Sequence, residues 1–206
     1  MKELKDLVRL TKLQSKPAGE TLARAFQDDS LFVYLIPDVV ERKTLLPILF
    51  EIMVRYGIRY GEVYATSPLM EGVACWLSPG KTEMILRRII NVAGFSLIYY
   101  YIKFGDVLSR FFSYNEYAAV LHHRYANVPH WYLSPIGVDP KFQGKGYGSS
   151  LLGSMLFRID QEHLPCFVET QSQSNVSLYE HFGFHVVEKG VIPGTTLSHW
   201  AMLREA

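Results

Sequence analysis

The sequence has few cysteines and almost no net charge. Its 206 residues include only Cys75 and Cys166, with no C-x-x-C pair and no spacing typical of a metal site. We therefore expect no metal centre, and we interpret both cysteines as buried, reduced thiols of a cytoplasmic protein. A formal net charge of +1 argues against nucleic acid or an acidic membrane as the main partner, because both favour a basic surface.

A long hydrophobic run is also missing. The longest uncharged stretch, residues 89–102, is shorter than the roughly 20 residues of a membrane-spanning helix. It also contains Asn91, Gly94 and Ser96, and we interpret it as a buried or lid-forming helix. The N-terminal residues mix charged with apolar side chains and lack the apolar core of a signal peptide. We therefore expect no membrane partner.

What is present indicates one globular domain over residues 1–206. Hydrophobic residues make up 49% of the chain and charged residues 20%, which is typical of folded rather than disordered proteins. Short β-prone runs alternate with helical patterns, and this alternation predicts an α/β fold with a mixed sheet. The predicted strands span residues 7–10, 61–65, 72–77, 131–138, 166–170, 184–191 and 195–203, and the predicted helices span 17–26, 41–60, 82–124, 149–162 and 175–182.

Two of the helical patterns contain a feature that should interrupt them. Pro47 predicts a kink or a later start in the second helix, since proline cannot donate the backbone hydrogen bond. In the segment 82–124 we expect a break near residues 103–106. This segment is unusually aromatic, and we predict that residues 82–125 form a helical insertion between the third and fourth strands.

The most informative stretch is a glycine-rich turn between the β-prone run that ends at Val138 and a helical pattern. It reads Gln143, Gly144, Lys145, Gly146, Tyr147, Gly148. Glycines permit unusual backbone angles and leave amide N–H groups uncovered. These amides open the N-terminus of a helix, where aligned dipoles favour an anion, and Lys145 adds a positive charge. The turn therefore predicts a phosphate or pyrophosphate site.

Two common phosphate motifs are absent from this turn. A P-loop requires Gly-Lys-Ser/Thr, but Gly146 follows Lys145, so no hydroxyl is placed for magnesium. A dinucleotide fingerprint requires G-x-G-x-x-G, and here the third glycine, Gly148, comes one position early. The remaining pattern is Gln-x-x-Gly-x-Gly after a strand.

That pattern, followed by Asn175-Val-Ser-Leu-Tyr179-Glu-His-Phe-Gly183-Phe184, resembles the GNAT superfamily of N-acetyltransferases over residues 131–187. The resemblance implies a mixed, mostly antiparallel sheet of about seven strands flanked by helices, and acetyl-CoA as the cofactor. It also implies that the fourth and fifth strands splay apart to admit the pantetheine arm of coenzyme A. The implied contacts of that arm are Ile136, Gly137 and Val138, and those of the pyrophosphate are the amides of Gln143, Gly144, Lys145, Gly146, Tyr147, Gly148 and Ser149.

Asn175 and Tyr179 stand four residues apart and share a face of the predicted helix. Asn175 has two interpretations: a helix N-cap, or, by the resemblance, a hydrogen-bond partner of the pantetheine arm. Tyr179 resembles the family's general acid, which protonates the departing thiolate of coenzyme A. The alternative for Tyr179 is an ordinary core aromatic residue.

An amine acceptor must also lose a proton, because an alkylammonium has no lone pair. Glu169, near the end of the fifth strand, is the first candidate for the base, and a solvated or salt-bridged glutamate is the alternative. His122, His123, His130 and His199 are further candidates. For the oxyanion, the resemblance implies a backbone amide near Val138. No nucleophilic cysteine is required, so we expect direct transfer.

The nature of the acceptor is the least determined point. The aromatic insertion could line a pocket for an apolar amine, or it could simply pack as core. We favour the primary amine of a small molecule over the amine of a protein or peptide. A coenzyme A-binding sensor domain without transfer activity and an interaction module with an exposed apolar face are alternatives from other classes. The edge at the last strands could also support a homodimer.

Overall fold

The computed structural model describes residues 4–94 and 96–205, and it describes the side chains of these residues except 96–104. Seven strands form one sheet: β1 (Val8–Arg9), β2 (Gly61–Ala65), β3 (Gly72–Leu77), β4 (Trp131–Val138), β5 (Cys166–Thr170), β6 (His185–Val191) and β7 (Ser198–Arg204). Their order is β1-β2-β3-β4-β5-β7-β6. Only β4 and β5 run parallel, so the predicted mixed, mostly antiparallel sheet is confirmed.

Helices cover both faces of this sheet. They are α1 (Ser15–Ala25), α2 (Ser30–Leu35), α3 (Val39–Tyr60), α4 (Leu86–Ala93), α5 (Ser96–Tyr125), α6 (Tyr147–Glu162) and α7 (Gln173–His181). The apolar side chains of α1, α2 and α3 pack with alternate residues of β2 and β3 on one face. Those of α6 and α7 pack with the intervening residues of β2 to β5 and β7 on the other face. The period-2 alternation of each strand thus supplies two separate cores.

Helix α3 contains Pro47 in its interior. The helix begins at Val39, where the Asp38 side chain accepts a hydrogen bond from Glu41 N at 2.8 Å. The later start at Pro47 is therefore wrong, because the acidic cap Asp38, nine residues upstream, already satisfies a free amide of the first turn. The adjacent helix α1 approaches closely at Gly19, where an added Cβ would lie 3.0 Å from Pro47 O.

The insertion between β3 and β4 consists of α4 and α5. The predicted break near residues 103–106 is wrong, because α5 is continuous there and the chain turns instead at Gly94, with φ +62°. Glycine adopts this angle without the steric cost that a side chain would add, whereas Gly105 inside a long helix costs only about 1 kcal/mol. The aromatic side chains of Phe95, Tyr99, Tyr100, Tyr101 and Phe104 lie outside the described residues.

Both cysteines are buried and unpaired, as predicted. Burial raises the pKa of both thiols. Across residues 4–94 and 96–205, none of the helices is both long and apolar enough to span a bilayer. The same residues contain no cluster of His, Cys, Asp and Glu side chains suited to hold a metal ion.

Candidate functional site

The parallel strands β4 and β5 separate partway along their length. They pair only from Trp131–Cys166 to Leu133–Val168, and the second half of β4 has no partner on that side. On its other side β4 pairs with β3, with Ser134 and Pro135 both opposite Cys75. This bulge changes the direction of β4. Proline has no backbone N–H, so Pro135 adds no unpaired donor at the bulge. The splay implied by the resemblance is therefore present in the fold.

The open edge of β4 presents the main-chain groups of Ile136 and Val138. Asp139 N donates to Glu71 O at 2.8 Å on the β3 side. Since main-chain direction alternates along an antiparallel ladder, Gly137 shares the β3 hydrogen bonds, while Ile136 and Val138 face the gap. Two of the three predicted strand residues thus have polar groups available to a ligand.

Gly137 serves a different purpose in the structure. A Cβ added there would lie 2.9 Å from Ala25 Cβ, 3.0 Å from Phe26 Cε2 and 3.1 Å from Leu22 Cδ2. The glycine therefore lets α1 approach β4 closely.

The glycine turn is held at both ends. Asp139 accepts from Lys141 N at 3.1 Å and from Arg24 Nε at 2.6 Å, which anchors the start of the turn to α1. The side chain of Gln143 donates from Nε2 to Val138 O at 3.1 Å and so ties the turn back to β4. Because this contact uses only the side chain, the main-chain N–H of Gln143 stays available to the predicted pyrophosphate site.

Gly144 and Gly146 have positive φ angles of +76° and +78°, and an added Cβ at either would meet nothing within 4 Å. Gly146 is the N-cap of α6 and offers no capping side chain, so amides of the first turn remain uncovered. A side cavity of about 330 Å³ next to this turn is lined by Lys145, Tyr147, Ser149 and others. The arrangement fits an anion held by backbone N–H groups at a helix N-terminus.

A larger cavity of about 500 Å³ lies where the two strands part. At one end it is lined by Ile136, Asn175 and Tyr179, and at the other by residues of α2, α3 and α5. Apolar side chains form much of its wall, among them Phe26, Leu31, Phe32, Met53, Phe111 and Phe112. The described part of the aromatic insertion therefore contributes both to packing and to a cavity.

Asn175 is not the N-cap of α7. The N-cap is Ser172 and the helix begins at Gln173, so the capping interpretation is wrong; the helix starts two residues earlier than the sequence pattern suggested. The Asn175 side chain instead donates from Nδ2 to Thr170 Oγ1 at 3.2 Å. Its Oδ1 has no hydrogen-bond donor within the described part of the chain, and it is able to accept one from a ligand.

Tyr179 is 5% exposed and lines the cavity on the same helix face as Asn175. Its ring packs against Phe184, with centroids 5.7 Å apart. Burial, and to a lesser degree the nearby Cys166, raises the pKa of the phenol above its ordinary value. The phenol therefore stays protonated at neutral pH, as a general acid must.

Glu169 is buried rather than solvated, with its side chain 2% exposed. Tyr132 donates to its Oε2 at 2.8 Å. Burial acts to raise the pKa of Glu169, but the contact with His199 and the Tyr132 hydrogen bond outweigh burial and lower it. The lowered pKa favours the ionised carboxylate at neutral pH, in a cavity that both apolar and polar side chains line.

The four candidate histidines differ in burial and in their contacts, and the rings of His122 and His130 stack with centroids 5.5 Å apart. His123 is exposed and pairs with Glu83 at 2.9 Å, while His130 Nδ1 lies 2.7 Å from Val128 O. His122 lines the cavity, and burial lowers its pKa to about 4, so it is neutral at neutral pH. His199 is fully buried behind Glu169.

Sequence reasoning missed several polar residues of the cavity: Tyr114, Tyr132, Ser134, Thr170 and Gln171. Tyr132 could have been found, because it points to the opposite face from Trp131 and Leu133, in the direction of Glu169. Tyr114 and Gln171 meet only in the tertiary structure, 57 positions apart.

Comparison with known proteins points to one family. A model of the acetyltransferase (GNAT) domain matches residues 108–186. An uncharacterized N-acetyltransferase of Schizosaccharomyces pombe is 34% identical over 177 residues, which cover 82% of this chain and 70% of the relative.

Solved structures share the whole fold. The histone acetyltransferase HPA2 and related acetyltransferase from Corynebacterium glutamicum has a TM-score of 0.66 at 24% identity, over 97% of this chain and 96% of the other. Arylalkylamine N-acetyltransferase 2 from Aedes aegypti has a TM-score of 0.62 at 11% identity, over 97% of each chain. At these identities the likeness is one of fold.

Proposed function

Since the chain belongs to the GNAT family of acetyl-CoA-dependent N-acetyltransferases, we propose that it transfers the acetyl group directly to the primary amine of a small molecule. The observation that carries this proposal is the cavity of about 500 Å³ that continues inward from the splay of β4 and β5. Its volume is that of a small-molecule site. A peptide or protein acceptor would instead need an open groove.

The residues around the splay fit coenzyme A. Ile136 offers main-chain groups on a free strand edge and Val138 offers its N–H, because Val138 O already accepts from Gln143, and Asn175 Oδ1 offers an acceptor across the gap. The turn from Gln143 to Ser149 offers uncovered amides for the pyrophosphate, with Lys145 beside it. Backbone contacts of this kind explain why glycines occupy Gly144, Gly146 and Gly148.

The charge of the cavity favours a cationic acceptor. Four carboxylates line it, those of Asp29, Glu83, Glu116 and Glu169, and no lysine or arginine does so among the described residues. An ammonium group is therefore attracted, whereas an acceptor that also bears a carboxylate is repelled. The apolar walls add a preference for a hydrophobic body. We propose an apolar amine rather than an amino acid as the acceptor.

When bound, acetyl-CoA supplies the acetyl thioester. Glu169 accepts a proton from the ammonium group, which frees the lone pair for attack on the thioester carbonyl. The amide of Val138 donates to the developing oxyanion, and Tyr179 donates a proton to the departing sulfur. Over the whole reaction an ammonium acceptor loses two protons and the sulfur gains one, so one proton is released. Cys75 and Cys166 take no part, because burial raises the pKa of both thiols.

The experiment that tests this function measures release of free thiol from acetyl-CoA in the presence of matched acceptors. Phenethylamine and phenylalanine, and tryptamine and tryptophan, differ only in a carboxylate. We expect each amine to have a kcat/KM at least about tenfold above that of its amino acid, which corresponds to roughly 1.4 kcal/mol of differential binding. Phenethyl alcohol, which lacks the amine, serves as the control.

Other outcomes would each favour a different function. Equal or faster turnover of the amino acids would contradict the charge argument. Faster turnover of a lysine-containing peptide would point to a protein acceptor. Tight binding of acetyl-CoA without acceptor-dependent thiol release across the panel would favour the sensor domain.

A further inference from the structure

Five polar side chains lie in contact between α5 and the sheet, and they come from different parts of the sequence. They are Tyr114, Tyr132, Glu169, Gln171 and His199. Glu169 on β5 lies opposite Ala201 of β7, and His199 stands two residues before Ala201 on the same strand. Because side chains alternate along a strand, Glu169, Ala201 and His199 share one face of the sheet. Tyr132 of β4 pairs with Phe167, two residues before Glu169, and shares this face as well.

The contacts run from Tyr132 through Glu169 and His199 to Gln171 and Tyr114, and of these five side chains only His199 does not line the cavity. Tyr132 donates to Glu169 Oε2 at 2.8 Å, and His199 Nε2 lies 3.3 Å from Glu169 Oε1. His199 Nδ1 lies 2.9 Å from Gln171 Nε2, which in turn donates to the Tyr114 hydroxyl at 3.2 Å. Neither His199 Nε2 nor Glu169 Oε1 has a hydrogen-bond partner among the described residues, so these two buried atoms approach each other without completing a hydrogen bond. His199 does not line the cavity, whereas Glu169 does.

A buried carboxylate needs compensation to remain ionised. The titratable groups that surround Glu169 are His199 on β7, Tyr132 on β4, and Tyr114, Tyr117 and His122 on α5. The tyrosines are neutral, and His122 is neutral at neutral pH because burial lowers its pKa to about 4. Gln171 Nε2 can only donate, so His199 Nδ1 accepts from it and the ring N–H is on Nε2, the nitrogen 3.3 Å from the Glu169 carboxylate.

We propose that His199 is a positioning residue of the acetyl transfer, which acts through Glu169 and does not touch the acceptor. It keeps the Glu169 carboxylate ionised and fixed between two partners, so that the carboxylate can accept the proton of the ammonium group. Gln171, which itself donates to the Tyr114 hydroxyl, holds the imidazole at Nδ1 from the opposite side and leaves Nε2 3.3 Å from Glu169 Oε1. This inference rests on the proposed function, in which Glu169 is the base.

The test compares two variants of nearly equal size. His199→Gln retains an amide that can donate to Glu169, and His199→Met lacks a strong donor. In His199→Met no donor offsets the effect of burial, which raises the pKa of Glu169. The carboxylate is then ionised only at higher pH. We expect the acidic limb of the kcat/KM profile to move up by at least about one pH unit in His199→Met, a loss of about tenfold on the acidic side. His199→Gln should retain a profile close to wild type.

A purely structural role would give a different result. It would lower activity at all pH values without moving the acidic limb, and it would do so equally in a Glu169→Gln background. We expect His199→Met to have no further effect in that background, because the residue through which it acts has already been removed. An additive loss, or an unmoved acidic limb, would overturn the proposal.

One measurement decides the proposal independently of turnover. The ¹³C carboxyl resonance of Glu169, assigned by comparison with Glu169→Gln, reports its ionisation directly. We expect an ionised carboxylate at pH 6 in wild type and in His199→Gln. A protonated carboxylate in wild type would overturn the inference even if His199→Met does not fold. If thiol release fails with every acceptor, the proposed function falls, while this resonance still reports whether His199 sets the charge of Glu169.

Discussion

Tyr179 and Glu169 reach the same cavity from opposite faces of the sheet. Tyr179 belongs to the core formed by α6, α7 and the sheet, and Glu169 points to the face covered by α5. They line one cavity because the separation of β4 from β5 opens a passage through the sheet. The proposed acid and the proposed base can then stand on either side of the reacting carbonyl without meeting each other.

Replacing Tyr179 with phenylalanine should slow turnover without loosening the cofactor. The phenol is held protonated by burial, so its loss removes the proton donor for the departing sulfur, and general acids typically contribute roughly 10²-fold or more. We expect kcat to fall by about that factor and the Kd of acetyl-CoA, measured by calorimetry, to change less than about twofold.

Tyr64→Phe provides a matched control for this prediction. Tyr64 is also buried, but its hydroxyl bonds to Glu62 on β2, away from the cavity. The control should turn over like wild type. Wild-type turnover of Tyr179→Phe itself would remove the acid role.

At the scale of elements, the site depends on where two strands stop pairing and where one helix begins. The bulge at Ser134 and Pro135 turns β4 so that Ile136 and Val138 face an open gap. The turn then leads into α6, whose N-cap residue, Gly146, has no side chain. A strand edge and a helix N-terminus therefore lie within a few residues of each other along the chain, and each presents unused main-chain donors.

Replacing Gly146 with aspartate should weaken acetyl-CoA binding strongly. The substitution places a carboxylate where the pyrophosphate would sit, at a position with φ +78°. We expect the Kd measured by calorimetry to rise by at least about tenfold, a loss of roughly 1.4 kcal/mol.

Gly194→Asp separates the effect of charge from that of backbone strain. Gly194 has a similar φ of +76°, is exposed, and lies in the loop between β6 and β7. Its stability cost should match that of Gly146→Asp, with cofactor affinity unchanged. Unchanged affinity in Gly146→Asp would refute the assignment of the pyrophosphate site.

On the scale of the whole molecule, the proposed cofactor and acceptor sites draw on both layers of helices. The cofactor side uses β4, α6 and α7, and the acceptor side uses α2, α3 and α5. Binding at their junction should therefore stabilise the whole fold rather than one element, because the ligand bridges both cores.

Acetyl-CoA should raise the melting temperature of the protein. At about 100 times its Kd, a ligand specific for the folded state adds about 2.7 kcal/mol. For a chain of this size each kcal/mol shifts Tm by about 2–4 °C, so we expect an increase of roughly 5–10 °C in a thermal-shift measurement. NAD and ATP, which share the adenine nucleotide but lack pantetheine, should give little shift. An equal response to either nucleotide would mean that the glycine turn does not select coenzyme A.

Much of the fold was predictable because it is encoded in local patterns. The bounds of β2, β3, β4 and β5 agree with the sequence prediction residue by residue, since apolar, β-branched runs between turn residues specify strands locally. The glycine turn and the left-handed Gly183 that follows α7, with φ +86°, were likewise readable, because few residues other than glycine adopt such angles.

The ends of helices were harder to predict where several neighbouring residues could each begin or end the helix. The break in the insertion was expected at residues 103–106 but lies at Gly94, and of the two interpretations of Asn175 the N-cap is wrong because Ser172 occupies that position. In both cases more than one residue type along the segment could end or begin a helix, and the choice between them is made by packing.

The sequence alone therefore determined the alternation of strands and helices, the glycine-rich turn and the family to which the chain belongs, because each is written in contiguous residues. The tertiary structure decided what Glu169 is. A strand-end glutamate could be solvated or buried, and only the approach of Tyr132, His199 and α5 from distant parts of the chain makes it a buried, ionised carboxylate in a cavity. Ionisation in a protein interior depends on which charges and dipoles are brought near, and that is a property of the fold rather than of any local pattern.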